Sequence, residues 1–353
     1  MPYTFDADPR SIVAERRSQF IALGTSAEVI DSVAAKVEDL WADGPGGWPF
    51  EWSLAAEEAE ATGDLLGASL LYGIAKYPCL GNDAHAAAYA KQLDTYLRAA
   101  QSFPDVFERL ILEVPYRGGW TKVAVHLLTP VGATADSPLV LMMGGVDTWK
   151  QDVHNSAAQL GRALQARMAL IDMTGVGESR VPSAPDGNEV LAGVIEALRG
   201  TAKAGVFGFS FGGYWAVKLA LIGAVDAAVA VGALVEGAWG PHFLPNMPNG
   251  MSGIMGNSQF RDDPFVDDEA FVSAMAPFAL GGQGLLHDWG TNPVPMLVAN
   301  GSDDPYVPPE DVTVFADRPA TVVRLVAGAT HCAPEAMPTL MPWMIGWLRE
   351  QLS

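Results

Sequence analysis

Gly208-Phe209-Ser210-Phe211-Gly212 sets a serine between two glycines. The motif follows the apolar run Gly205-Val206-Phe207 and precedes Gly213-Tyr214-Trp215-Ala216-Val217-Lys218-Leu219-Ala220, which reads as a helix. A strand, a sharp turn and a helix are the setting in which a G-x-S-x-G serine is lifted out as a nucleophile. The glycines let strand and helix approach closely, and the helix N-terminus favours negative charge developing nearby. A serine hydroxyl attacks poorly unless a base takes its proton. Of the six histidines, His331 alone follows the last expected strand in a loop, Gly328-Ala329-Thr330-His331. A base of this kind needs a carboxylate to hold its tautomer. The expected strand 294–300 runs into Gly301-Ser302-Asp303-Asp304-Pro305. Asp304, at the Gly-x-x-Asp spacing before Pro305, is the favoured acid, which leaves Asp303 as a turn residue. Acyl chemistry also needs N–H donors for an oxyanion. One is the backbone N–H of Phe211. The other is expected from Gly144-Gly145-Val146-Asp147-Thr148-Trp149-Lys150, where Gly145 and Val146 are equal candidates.

These residues need a scaffold that orders them Ser, Asp, His, which is the α/β-hydrolase order. From about residue 106 the chain alternates strand and helix signals. Two β-rich runs, 110–115 and 121–128, flank Arg117-Gly118-Gly119 and read as a hairpin. Strands are then expected at 139–143, 168–173, 204–207, 224–232, 294–300 and 321–327. Helices are expected at 155–166, 188–202, 211–222 and 334–352. Such alternation predicts an α/β fold with a mostly parallel central sheet covered on both faces. Residues 1–105 differ. Segments 26–41, 53–77 and 82–102 carry helical spacing, with Asp31-Ser32 and Asn82-Asp83 as start signals and 42–49 as a loop. This predicts a helical domain at 1–105 and an α/β domain at 106–353. The alternation breaks at about 236–288, a long insertion expected to form a lid or pocket wall.

The chain has 353 residues, 49% of them hydrophobic, enough for a large core. With 21 basic and 41 acidic residues the net charge is −20. That excess disfavours nucleic acid and anionic membrane surfaces as partners. No apolar run is long enough to span a bilayer. Cys79 and Cys332 are not arranged as a disulfide framework or zinc site, and no His, Cys and carboxylate group has metal-ligand spacing. Thr174-Gly175-Val176-Gly177-Glu178-Ser179 lacks the third glycine of a dinucleotide loop and the lysine of a P-loop. No cofactor is therefore expected. Met1-Pro2-Tyr3-Thr4-Phe5-Asp6 lacks a basic stretch followed by an apolar one, so a cytoplasmic setting is expected.

Tyr77-Pro78 with Leu80-Gly81-Asn82-Asp83, the 144–150 loop, Asp172-Met173-Thr174-Gly175-Val176-Gly177-Glu178-Ser179, the elbow at Ser210, Asp304 and His331 together resemble one family. It is the α/β-hydrolase family that includes the fermentation–respiration switch protein, 2,6-dihydroxypseudooxynicotine hydrolase and fungal heptaketide chain-shortening hydrolases. The resemblance implies an α/β-hydrolase fold with an N-terminal helical cap over the triad, a small-molecule pocket between them, and a homodimer. It also implies cleavage of carbon–carbon bonds in β-diketone or acyl-aromatic compounds, or of esters. Some members that cleave carbon–carbon bonds use a further pocket carboxylate, and Glu236 is the nearest candidate, with a lid-base or salt-bridge role equally open. Trp48, Trp52, Trp149, Trp215 and Trp239, with Met247, Met251 and Met255, fit the lining of an aromatic-friendly pocket, and core packing accounts for most of them equally well. The same triad could serve cyclisation, acyl transfer or polyketide trimming. A non-catalytic binding protein is the third reading, set back by the presence of all three triad residues.

Overall fold

A computed structural model describes residues 2–287, 289 and 293–353. The expected end of the insertion, Asp288, lies outside the described residues. Helices come first: α1 (Pro9–Leu23), α2 (Ala27–Ala34), α3 (Trp48–Ala61), α4 (Leu65–Ala75) and α5 (Asp83–Ala99). An α/β region follows. Its strands are β1 (Val106–Tyr116), β2 (Gly119–Thr129), β3 (Leu139–Met143), β4 (Arg167–Leu170), β5 (Ala204–Phe209), β6 (Ala227–Val231), β7 (Met296–Gly301) and β8 (Thr321–Val326). Between them lie α6 (His154–Leu164), α7 (Asn188–Arg199), α8 (Phe211–Leu221), α9 (Met251–Ser258), α10 (Asp268–Met275) and α11 (Glu310–Thr313), and α12 (Met337–Leu352) closes the chain.

The described strands form one eight-stranded sheet in the order β1-β2-β4-β3-β5-β6-β7-β8. The β1–β2 and β2–β4 pairs are antiparallel, and every other pair is parallel. Strands β3, β4 and β6 are apolar runs buried along their whole length, as a sheet covered on both faces requires. Residues of α7 and α8 join the core on one face, and residues of α6 and α12 join the core on the other. The β1–β2 hairpin turns at Arg117 and Gly118, both at positive φ (49° and 74°), the geometry that matches strand twist in a two-residue turn.

The helical region departs from expectation in its boundaries. Asp31-Ser32 lies inside α2, whose N-cap is Ser26, with Oγ accepting the Val29 N–H at 3.3 Å. The stretch 53–77 is two helices, broken at Gly63 (φ 87°) and restarted by Asp64, which accepts the Gly67 N–H at 2.9 Å. Helix α3 begins at Trp48, inside the expected loop. Helix α1 had no counterpart in the sequence reading, although Asp8 caps it and Pro9 opens it. The start at Asn82 agrees, with Oδ1 accepting the His85 N–H at 3.1 Å. Trp48 and Trp52 are fully buried in the core of this region beside Phe20 and Tyr77, so they line no pocket near Ser210.

Two buried cations tie the helices to the loop after β3. Lys76 Nζ donates to the Asp147 carbonyl at 2.6 Å and pairs with Asp152 at 3.1 Å. Arg16 Nη2 pairs with Asp147 at 3.0 Å. Removing one partner of a buried pair strands the other charge. Lys76→Met is therefore expected to lower unfolding free energy by about 3–5 kcal/mol in urea titrations. A change of a few tenths would show that the pair does not anchor the helices.

Candidate active site

Ser210 stands at the junction of β5 and α8 with φ 56° and ψ −123°, a region that a residue with a Cβ rarely enters. Three features hold it there. Its N–H donates to the Val231 carbonyl on β6 at 2.7 Å. A Cβ on Gly208 would lie 2.0 Å from the Gly212 carbonyl oxygen, so strand and helix meet only because that atom is missing. Phe211, Tyr214 and Trp215 of α8 are buried among Trp239 and Phe278, which locks the helix in place. Trp215 and Trp239 thus anchor the elbow rather than line the cavity.

His331 Nε2 is 2.8 Å from Ser210 Oγ, and His331 Nδ1 is 2.6 Å from Asp304 Oδ2. Asp304 is also held by Asn300 Nδ2 at 2.6 Å and by the N–H groups of Tyr306 and Val307 at 2.7 and 3.2 Å. Burial alone would raise the Asp304 carboxyl, but the His331 charge and these donors outweigh it and hold it below its usual range. Burial alone would lower His331, but the Asp304 charge and hydrogen bond carry it well above an ordinary imidazole. Asp303 is exposed, and its carboxylate accepts the Ser302 hydroxyl at 2.7 Å. Asp304, and not Asp303, is thus the carboxylate that meets His331.

Gly145 follows β3 and faces Ser210. A Cβ there would come within 2.9 Å of Ser210 Cβ and 3.0 Å of Ser210 Oγ. Phe211 opens α8, where the first N–H groups have no intrahelical acceptor. Gly145 borders a cavity of about 510 Å³ that reaches Ser210 and His331, a size suited to a small molecule. Val146 borders a second space of about 10 Å³ on the other side of Ser210, with Met247, Met251 and Met255 from the insertion. Those methionines do approach Ser210. Trp149 borders a separate cavity of about 270 Å³ that does not include Ser210.

Glu236 is not in this site. It is exposed, and its carboxylate accepts the Gly281 N–H at 2.7 Å, so it braces the insertion. Chain order placed it after β6 but could not give its direction. The polar wall of the large cavity comes instead from α1, with Arg16, Ser18 and Gln19, and from Asp147, Thr148, Ser156 and Gln159. Sequence reasoning missed Arg16, Asn300 and Tyr306. The Asp8-Pro9 start signal would have revealed α1, whereas nothing in the sequence marks Asn300 as the side chain that binds both Asp304 and, at 3.0 Å, the Cys332 N–H. Among the described residues no His, Cys, Asp and Glu group could hold a metal ion, and no helix is long and apolar enough to cross a membrane.

Gly145→Ala would force a methyl group against the Ser210 hydroxyl. It is expected to slow fluorophosphonate labelling at Ser210 while a nearly unchanged melting temperature shows intact folding. Labelling at the parental rate would show that the loop has room to move away.

The family model described as Esterase FrsA-like matches residues 41–327. Esterase FrsA of Vibrio vulnificus (strain YJ016) is 26% identical over 316 residues, covering 82% of this chain and 74% of that protein. Esterase FrsA of Citrobacter koseri is 29% identical over 329 residues, covering 87% and 77%. In fold, the structure titled AbyA5 Wildtype superposes with a TM-score of 0.80 at 22% identity, covering 96% of this chain and 94% of that one. The 2,6-dihydroxy-pseudo-oxynicotine hydrolase superposes at 0.71 with 20% identity, covering 95% of each chain. With a match that spans most of the helical region and most of the sheet, this chain belongs to the Esterase FrsA-like family of α/β-hydrolases.

Proposed function

We propose that this enzyme forms an acyl-enzyme on Ser210 and hydrolyses small, largely apolar carbonyl compounds at an ester or at a carbon–carbon bond of β-diketone or acyl-aromatic type. The observation that carries the reading is the hydrogen-bonded chain Ser210–His331–Asp304 beside a cavity of about 510 Å³. Residues 1–105 act as a cap, and 106–353 supply the reacting groups. His331 takes the Ser210 proton as Oγ attacks the carbonyl. Asp304 keeps the Nδ1 proton in place and stabilises the imidazolium. Phe211 N–H, with Gly145 or Val146, receives the oxyanion. Water then releases the acid. Ile21, Leu23, Val153, Phe209, Met337 and Met341 in the cavity wall favour apolar substituents.

Fluorophosphonate labelling that survives in Ser210→Ala would sink the acyl-enzyme. Release of benzoic or acetic acid from 1-phenyl-1,3-butanedione tests the carbon–carbon branch, and turnover confined to p-nitrophenyl esters would remove it.

The pH profile offers a sharper test. His331 acts as a base only when neutral, so kcat/KM falls as pH drops through its raised pKa. Asp304→Asn removes the charge that raises it. The acid limb should then move to lower pH, and the plateau should drop on the order of 10³–10⁴-fold. Asp303→Asn should leave both nearly as they were. Equal effects of the two changes, or an unmoved limb, would contradict the assignment.

A further inference from the structure

Arg16, on α1, is 5% exposed and borders both spaces that flank Ser210, as do Asp147, Ser210 and His331 themselves. Its guanidinium lies 5.2 Å from the Tyr306 ring centroid, and that ring meets His331 edge-on at 5.1 Å. Arg16 and His331 therefore pack against the same Tyr306 ring and share two cavity linings with Ser210.

The donors and acceptors around it do not balance. A guanidinium carries five N–H groups and accepts nothing. Nη1 donates to Gln19 at 2.8 Å, and Nη2 meets Asp147 Oδ2 at 3.0 Å. Nε is buried with no hydrogen-bond acceptor, although Glu15 Oε1 lies 3.3 Å away. The neighbouring carboxylates are otherwise engaged. Glu15 accepts from the Tyr306 hydroxyl at 2.6 Å and from Asn249, and Asp147 Oδ1 accepts from the Thr148 hydroxyl at 3.0 Å. A guanidinium with N–H groups beyond those its neighbours take up, on the wall of a largely apolar cavity, can donate to an oxygen.

We propose that Arg16 binds the second oxygen of a β-dicarbonyl substrate while the first carbonyl faces Ser210. The proposal rests on the reading of Ser210 as nucleophile. Ser210 Oγ bonds to the first carbonyl carbon as its proton passes to His331. The bond from that carbon to the central carbon then breaks, and its electron pair becomes an enolate whose oxygen lies on Arg16. His331 returns the proton to the central carbon, releasing a ketone, and water converts the acyl-enzyme to a carboxylic acid. The sum is one diketone and one water giving one ketone and one acid. Asp147 and Glu15 beside Arg16 make the cluster net negative. It therefore disfavours a substrate that arrives as an anion.

The test uses the full chain with Ser210→Ala, so that ligand is bound but not consumed. Difference absorbance follows 1-phenyl-1,3-butanedione, which has two carbonyls, and 4-phenyl-2-butanone, which has one, is titrated in competition. Adding Arg16→Met should weaken the diketone by about tenfold or more and the monoketone far less. Arg16→Lys keeps the charge facing Asp147 and Glu15, so it carries the test if Arg16→Met does not fold, and it should show a smaller loss of the same preference. A merely structural role would weaken both ligands alike. Equal loss for both, or a two-carbonyl preference that persists in both variants, overturns the proposal. With Ser210 intact, the kcat/KM ratio of phenyl 3-oxobutanoate to phenyl butanoate should fall in Arg16→Lys. If neither ester shows Ser210-dependent turnover, the nucleophile reading fails, while the binding comparison still decides the role of Arg16.

Discussion

The loop after β3 is held by charges that have almost no access to water. Asp147, Asp152 and Asp172 are each at most 8% exposed, and Arg16, Lys76 and Lys150 at most 5%. An isolated charge at such depth is prohibitively costly, so each carboxylate is tolerable only with its cation in place. Lys150 comes from the loop and pairs with Asp172 and, at 2.9 Å, with Glu178. Arg16 and Lys76 come from the helices that precede the sheet. The loop can therefore take its conformation only when those helices are docked. Gly145, two residues before Asp147, inherits its place against Ser210 from that docking. Backbone bonds complete the restraint, with Trp149 N–H on Asp152 at 2.7 Å and Lys150 N–H on Asp172 at 3.0 Å.

Opposite this loop, Ser210 holds a backbone conformation that costs about 1–3 kcal/mol. The aromatic packing of α8 offsets it. Phe211 stacks on Trp215 with planes 3° apart, and Trp239 and Phe278 close around both. The large aromatics near the site thus fix where the serine points. Shape selection falls to the aliphatic and methionine side chains of the cavity. The two halves meet between β3 and β5, where the strand order reverses and the loops above the sheet diverge. A cleft at that point follows from topology, and only side chains decide what enters it.

Much of this could be read from the sequence because it is locally encoded. The elbow needs glycines at fixed offsets, and buried parallel strands such as β3 leave unbroken apolar runs. Asp304 could be separated from Asp303 because the turn spacing before Pro305 decides which carboxylate faces inward. What stayed open depends on direction in space. Glu236 occupies a plausible place in chain order yet points to Gly281. For the tryptophans, pocket lining and core packing read alike, because aromatic composition says nothing of which side of a helix is covered. Helix α1 escaped notice because its sequence, Pro9-Arg10-Ser11-Ile12-Val13-Ala14-Glu15-Arg16-Arg17-Ser18-Gln19-Phe20, spreads polar groups around most of its circumference. Such a helix buries charge as well as apolar surface, which amphipathic periodicity does not anticipate.

That same property separates what the fold supplies from what the pocket selects. Ser210 and Asp304 lie at or just beyond the carboxyl ends of β5 and β7, and His331 follows β8, on a framework shared with relatives of modest identity. Of the polar wall facing them, Arg16, Ser18 and Gln19 come from α1, which lies outside the residues 41–327 matched by the family model, while Asp147, Thr148, Ser156 and Gln159 come from the loop after β3 and from α6. The family match therefore speaks to the sheet, the elbow and most of the helices, but not to Arg16, Ser18 and Gln19. The part of the wall that α1 supplies can change its donors while the strands beneath keep their register. It cannot change them freely, because Arg16 also neutralises Asp147. Selectivity and the position of the loop after β3 are thus coupled through one guanidinium, and a relative that replaces Arg16 must also find another partner for the carboxylate of that loop.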